Sequence, residues 1–379
     1  MSNKTGGIPL VPYRERWEEG KLDYGVGVIG IGAIVSWAHL PTYEMTGLNI
    51  VAAADVDEKA REVAKKRWGI KKVFKDYREL LELEEVDLID VAIPHRTDKN
   101  MEDRVQVTKD AADAGKHILM HKPLARTYQR AKEMVDIARQ KGIKFAINQN
   151  SRWGPAHFAT RNLIREGFIG KPQVVMIENI SPGGWNSESM DEPTFRMLEW
   201  SIHHYDIMRW WLGKTPVRLY TTLNNHTNFT ILKFDENIQA SLAEITLLQG
   251  GANEHKYEFR VEGTEGVIKG RQGWHSFMKM PPDKLEVYSS HSPRQVEWLQ
   301  VRLPANPIGL GGHLYGGSRY DISYPYAGFL GSMADLMQSI EQDREPICNG
   351  EDNLKTMQVM LAAYKSAKEG REVEISEIK

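Results

Sequence analysis

A four-residue apolar run, Val26–Ile29, passes directly into Gly30-Ile31-Gly32-Ala33, and a helix-compatible stretch follows over residues 34–45. A strand apolar on both faces must be buried on both, and a parallel sheet covered by helices is the usual way to achieve that. The alternation then recurs. Residues 49–54, 86–93, 117–120 and 144–148 read as strands, the second of them stopped by Pro94. Residues 58–67, about 101–114, and 128–141 carry the charged amphipathic pattern of helices between them. Strands separated by helices of this length mean βαβ units, so residues 25–150 are expected to form a doubly wound α/β domain. Residues 1–24 are polar, broken by Pro9, Pro12 and glycines, and read as an arm.

Beyond residue 150 the pattern changes. Helical stretches at 155–166 and 194–212 are followed by strand-like runs at 217–223, 228–234, 238–247, 256–262 and 284–288, with no helix between those runs. Consecutive strands favour antiparallel pairing, hence an α+β domain with a large open antiparallel sheet over residues 151–379, closed by helices at 329–342 and 353–368. Composition excludes several classes. Of 379 residues, 41% are hydrophobic and 26% charged, an ordinary globular balance that rules out disorder as the main state. The 49 basic and 51 acidic side chains leave a net charge of −2, without the basic surface of a nucleic-acid binder. No run approaches the roughly 20 apolar residues of a membrane span, and residues 1–20 contain no signal-peptide core. A single cysteine, Cys348, precludes an intramolecular disulfide and points to a cytoplasmic protein.

The literal pattern GxGxxG at Gly25, Gly27 and Gly30 overlies the strand itself and is out of frame. The productive frame begins at Gly30 and Gly32, after the strand, where the backbone turns tightly and the helix start at Ala33 and Ile34 offers N–H groups to a pyrophosphate. Val35 stands where a third Gly or Ala is usual. Asp55 ends the second strand, 23 residues after Gly32, where a carboxylate would bind the adenosine ribose and repel a 2′-phosphate. NAD is therefore expected over NADP. The plain alternative is a glycine turn that binds nothing.

In Glu199-Trp-Ser-Ile-His203-His204-Tyr-Asp206, regular helical spacing would put Glu199, His203 and Asp206 on one face. A carboxylate one turn from an imidazole can orient it and raise its basicity, as suits a general base. An ion-paired structural histidine is the simpler reading. No third or fourth ligand at suggestive spacing is evident, so no metal is expected. Trp210 and Trp211 read as core. Lys122, in His121-Lys122-Pro123, ends a parallel strand, where ligands of doubly wound sheets collect, although a surface lysine is the commoner occupant of such a place.

These residues bring a family into view. From about residue 24 the chain resembles the glucose–fructose oxidoreductase/inositol dehydrogenase/MocA (Gfo/Idh/MocA) group. The resemblance is carried by residues 28–35, 51–55, Ala114-Gly-Lys-His-Ile-Leu-Met-His-Lys-Pro123, 199–213, and 346–366 with Gly350-Glu-Asp-Asn. It implies an N-terminal Rossmann domain holding NAD(P), a substrate domain with an open sheet, and a homo-oligomer, dimer or tetramer, assembled through that sheet. It also implies that Lys122 hydrogen-bonds the reacting hydroxyl, that His203 is the general base and that Glu199 orients it. Three departures stand out: His121 replaces the Glu of a Glu-Lys-Pro motif, Glu199 replaces an Asp, and residues 95–103 form a longer charged loop. Pro94, His95 and His121 are expected beside the nicotinamide, where the two histidines either add an acid–base group or merely pack.

Asn150, Arg152, Trp153, Trp185, His204 and His313 are further candidates for a sugar or polyol pocket, which needs aromatic faces and amide or guanidinium donors. The leading expectation is an NAD-dependent oxidoreductase acting on a secondary hydroxyl of a sugar, glycoside or cyclitol. A second is an enzyme that oxidises a sugar, often at C3, with retained NAD, allowing elimination or epimerisation before the hydride returns. A third is an NAD-dependent sensor without catalysis, which the presence of Lys122, Glu199 and His203 together disfavours.

Overall fold

The computed structural model describes residues 24–182, 196–247, 256–272, 284–290, 299–301 and 326–379. The N-terminal unit runs β1 (Val26–Ile29), a π-helical turn (Val35–His39), α1 (Leu40–Thr46), β2 (Ile50–Ala54), α2 (Glu58–Trp68), β3 (Lys72–Phe74), α3 (Tyr77–Leu81), β4 (Leu88–Val91), α4 (Asp98–Asp113), β5 (His117–His121), α5 (Tyr128–Lys141) and β6 (Phe145–Asn148). Its strands form a parallel sheet in the order β3-β2-β1-β4-β5-β6. That is the doubly wound topology expected. β3 and α3 were not foreseen, being only three and five residues long.

Side-chain caps set the helix starts. Thr97 caps α4 with a capping box to Asn100, so the helix starts at Asp98. Six of the nine residues expected as a loop over 95–103 therefore belong to α4. Asp57 and Thr127 cap α2 and α5 by the side chain alone, each accepting a backbone N–H that would otherwise lack a partner.

A 3₁₀ turn (Asn150–Trp153) and α6 (Pro155–Arg165) lead to β7 (Pro172–Pro182). A second π-helical turn (Met197–Ser201) continues as α7 (Ile202–Leu212), followed by β8 (Arg218–Leu223), β9 (Thr227–Lys233), β10 (Gln239–Leu247), β11 (Lys256–Gly263), β12 (Gly266–Arg271), β13 (Lys284–Ser289) and β14 (Leu299–Val301). The chain closes with α8 (Tyr326–Glu341), α9 (Gly350–Glu369) and β15 (Val373–Glu374). These strands form a nine-stranded sheet, β14-β13-β12-β11-β7-β10-β9-β8-β15. It is mixed rather than wholly antiparallel, because β10 pairs with β7 in parallel. Parallel neighbours need a long connection, and α7 with the β8–β9 hairpin supplies it.

One sheet face is covered by helices. The other leaves Met176, Tyr220, Phe229 and Ile231 exposed, as the strict alternation along β9 requires. Helix α8 lies against the first sheet, where Leu330, Met333, Leu336 and Met337 share a core with Val26, Val28, Val35 and Leu40. Residues beyond 326 thus complete the core of the N-terminal unit. Ile147 also donates its N–H to the Cys348 carbonyl at 2.8 Å, joining β6 to the segment that leads into α9.

Candidate active site

The glycine turn after β1 is forced by space. Gly30 has φ of 88°, and a Cβ there would stand 2.9 Å from the Ala92 carbonyl oxygen. At Gly32 an added Cβ would meet nothing within 4 Å. The protein's own packing does not demand glycine at 32, and open ground beside a helix start is what a phosphate needs to approach backbone N–H groups. Ala33 is exposed and Ile34 half-buried at that start. Asp55 reaches back to the turn: its Oδ2 accepts the Ile31 N–H at 2.6 Å and its Oδ1 accepts the Asp57 N–H at 2.8 Å. Each oxygen retains a lone pair for a further donor. These residues fit a dinucleotide.

At the end of β5, Lys122 is 7% exposed. Its Nζ donates to the Glu199 carbonyl at 2.8 Å and to Glu199 Oε2 at 2.7 Å. His95, in the turn after β4 and next to the exposed Pro94, brings Nε2 to 3.3 Å from Glu199 Oε1. One carboxylate from the second unit thus bridges two strand ends of the first. Burial alone would push the Glu199 carboxyl up, but Lys122 and His95 outweigh it and hold it below the usual range. Burial drives His95 down to about 3, against the pull of Glu199 and aided by Arg104 and Lys122. His121 is also depressed well below its ordinary value, by burial first and then by Lys122 and His39.

Glu199 does not partner His203 as its spacing suggests. The π-helical turn over Met197–Ser201 precedes His203, and a wider turn breaks the i, i+4 alignment. The Lys122 ammonium then takes the carboxylate. His203 is half-buried, its Nδ1 is buried without a partner, and burial followed by Lys122, His204 and His157 depresses its pKa strongly. It is a neutral imidazole with a nitrogen unspoken for. Asp206, three residues after His203 in the same α-helix, binds Arg152 and Thr356 instead.

A family model described as an oxidoreductase family with an NAD-binding Rossmann fold matches residues 24–149, and its companion, a C-terminal alpha/beta domain, matches residues 161–375. This chain belongs to the Gfo/Idh/MocA oxidoreductase family. Among relatives of this Gfo/Idh/MocA protein, a D-apiose dehydrogenase of Paraburkholderia graminis is 24% identical over 93% of this chain and 89% of its own length. A 1,5-anhydro-D-fructose reductase of Ensifer adhaerens is 24% identical over 92% of this chain and 98% of its own. Among solved structures, an oxidoreductase from Agrobacterium radiobacter in complex with NAD+, L-tartaric acid and magnesium superposes with a TM-score of 0.77 at 20% identity, covering 94% of this chain and 100% of the other.

Other residues expected around the substrate take different places in this Gfo/Idh/MocA chain. Arg152 is 1% exposed and donates from Nε and Nη2 to Asp206, from Nη2 to Asp352, and from Nη1 to the Ile347 carbonyl. Its guanidinium is committed to the interior, which corrects the expectation that it lines a pocket. Trp153 is buried and stacks on Phe158, a packing role as well, and Asn150 in the same turn is buried. His204 turns to the sheet, with Nε2 3.0 Å from Glu244 Oε1 and 3.3 Å from Asn179 Nδ2. Trp185 and His313 lie outside the described residues.

Among the described residues, two buried carboxylates on strands escaped the sequence reading. Glu244 interrupts the inward row Leu242, Glu244, Thr246 of β10, and Asp90 interrupts the apolar β4. Asp90 Oδ2 accepts from Tyr43 at 2.7 Å and meets His39 Nδ1 at 2.6 Å. An acid at a core-facing strand position is the signal that would have found both. Asp206, Cys348 and Asp352 stand close enough to share a cation, but Arg152 and Arg209 already occupy those carboxylates.

Proposed function

We propose that this protein is an NAD-dependent dehydrogenase oxidising a secondary hydroxyl of a sugar, glycoside or cyclitol, with Lys122 and His203 acting on that hydroxyl. The observation that carries the reading is the Lys122–Glu199 pair joining the carboxyl end of the parallel sheet to the helix that bears His203. Gly30, Gly32, Ala33, Ile34 and Asp55 would hold the dinucleotide, and Pro94, His95 and His121 would border its nicotinamide. Bound NAD supplies a hydride acceptor at the nicotinamide ring.

The residues divide the remaining work. An ammonium has three N–H donors, and Glu199 takes two of those of Lys122. The third is available to the substrate oxygen, where a positive charge lowers the hydroxyl's proton affinity. Neutral His203 accepts the hydroxyl proton. Glu199 acts as a positioning residue for Lys122 and His95 rather than for His203. Asp55 favours NAD over NADP by repelling a 2′-phosphate.

His95 supports a second reading. A neutral imidazole 3.3 Å from Glu199 is a second acid–base group beside Lys122, as an enzyme that retains its NAD and eliminates or epimerises would require. The exposed apolar row on the large sheet supports assembly into a homo-oligomer. A lone buried cysteine supports a cytoplasmic setting.

The test is mass spectrometry of the purified protein for retained nicotinamide, followed by a polyol and glycoside panel read for NADH and for product. NADH accumulating on one substrate class supports the dehydrogenase. Product without NADH moves the function to the second reading, and failure to bind NAD in any form overturns both.

A further inference from the structure

Arg104, on the second turn of α4, is fully buried, and among the described residues no carboxylate forms an ion pair with its guanidinium. Its acceptors are backbone carbonyls. Nε donates to the Ile93 oxygen at 2.8 Å and Nη2 to the same oxygen at 2.5 Å. Nη1 donates to the His121 oxygen at 3.1 Å, to the Pro123 oxygen, and to the Leu124 oxygen at 3.4 Å. Ile93 lies in the turn that delivers His95, and residues 121–124 flank Lys122. The rigid fork therefore spans the carboxyl ends of β4 and β5 just where each strand releases a residue into the cleft.

Burying a guanidinium without a counter-ion carries a large desolvation penalty. Two neighbouring turns could be tied at less expense by apolar contact. What the planar fork adds is a fixed separation, because its donors are rigid relative to one another. We propose that Arg104 is a positioning residue of this site: its guanidinium locks the turn after β4 to the turn after β5 and so fixes how His95 and Lys122 converge on Glu199. The inference rests on the cleft being the active site, and it requires the two turns to be ordered before any cofactor binds.

The test uses hydrogen–deuterium exchange on the full chain as wild type, Arg104→Lys and Arg104→Met, with NADH affinity followed by fluorescence. Lysine keeps the charge and much of the volume but has no fork. In Arg104→Lys, segments 92–97 and 120–125 are expected to exchange at least tenfold faster, while residues 105–113 of α4 stay within twofold of wild type. NADH affinity is expected to weaken several-fold. Wild-type exchange in both segments, or loosening confined to α4, overturns the clamp. Should neither variant fold, the wild type decides: protection of both segments without NADH supports the clamp, and protection that arises only on adding NADH overturns it. If NADH fails to bind the wild type, the functional reading falls while the exchange data still judge Arg104.

Discussion

Glu199 stands four residues before His203, and in a regular α-helix the two side chains would share a face. The π-helical turn separates them and hands the carboxylate to Lys122 and His95. His203 is left neutral with Nδ1 unpartnered. His203→Ala is therefore expected to lower the turnover rate by about a hundredfold or more, the usual worth of a general base, with NADH affinity within about threefold of wild type on titration. Because the folded-state pKa is depressed, the base-competent form persists on acidification. The acid limb of kcat/KM is thus expected below the ordinary histidine value of about 6.5, and a midpoint at that ordinary value would remove His203 from the role. Asp55 offers a second residue-scale test: Asp55→Ala should raise NADP affinity relative to NAD by about tenfold, roughly 1.4 kcal/mol. Equal ratios in mutant and wild type would mean the carboxylate serves only the Ile31 and Asp57 N–H groups. The chemical identities of Lys122, Glu199 and His203 were legible in the chain. Their pairing was not, because a π turn leaves no spacing signature and Lys122 arrives from 77 residues away.

Three elements meet at the Arg152 cluster. The 3₁₀ turn supplies Arg152, α7 supplies Asp206 and Arg209, and α9 supplies Asp352, with side chains 1%, 1%, 5% and 28% exposed respectively. Burial raises the Asp352 carboxyl, but Arg152 and Arg209 outweigh it and hold it far below the usual carboxylate range. A depressed folded-state pKa contributes stability above the unfolded value, about 3.9, and that stability is lost as pH falls through the folded value. Asp352→Asn should accordingly destabilise the protein by about 3 kcal/mol at pH 7, since it leaves two guanidinium groups short of charge. Chemical denaturation at pH 7 and at pH 3 measures this, and a penalty that fails to shrink at the lower pH would show that charge is not the cause. The helices of this region were legible from periodicity. The network was not, since Arg152 read as a pocket residue and Asp206 as a neighbour of Glu199 and His203 on one helix face until their partners across the fold were known.

For the whole molecule, the uncovered sheet face poses the remaining question of assembly. Phe229 and Ile231 are 45% and 53% exposed on adjacent outward positions of β9. If copies of the chain pack through this face, Phe229→Lys with Ile231→Lys should convert the oligomer to monomer in sedimentation velocity, with the folded spectrum unchanged, because exposed positions tolerate polar replacements. An unaltered sedimentation coefficient would exclude the face as the interface. Alternation of apolar and charged stretches by itself determined the doubly wound unit, its glycine turn and the run of strands after it, because local hydrophobic period and turn chemistry dictate which elements form. The return of α8 to the first sheet, the parallel β7–β10 pair, the meeting of Lys122 with Glu199 and the clamp at Arg104 were decided only in three dimensions. Each joins residues far apart in the chain, and such pairings follow from which buried surfaces and buried charges must be satisfied together rather than from any neighbouring sequence.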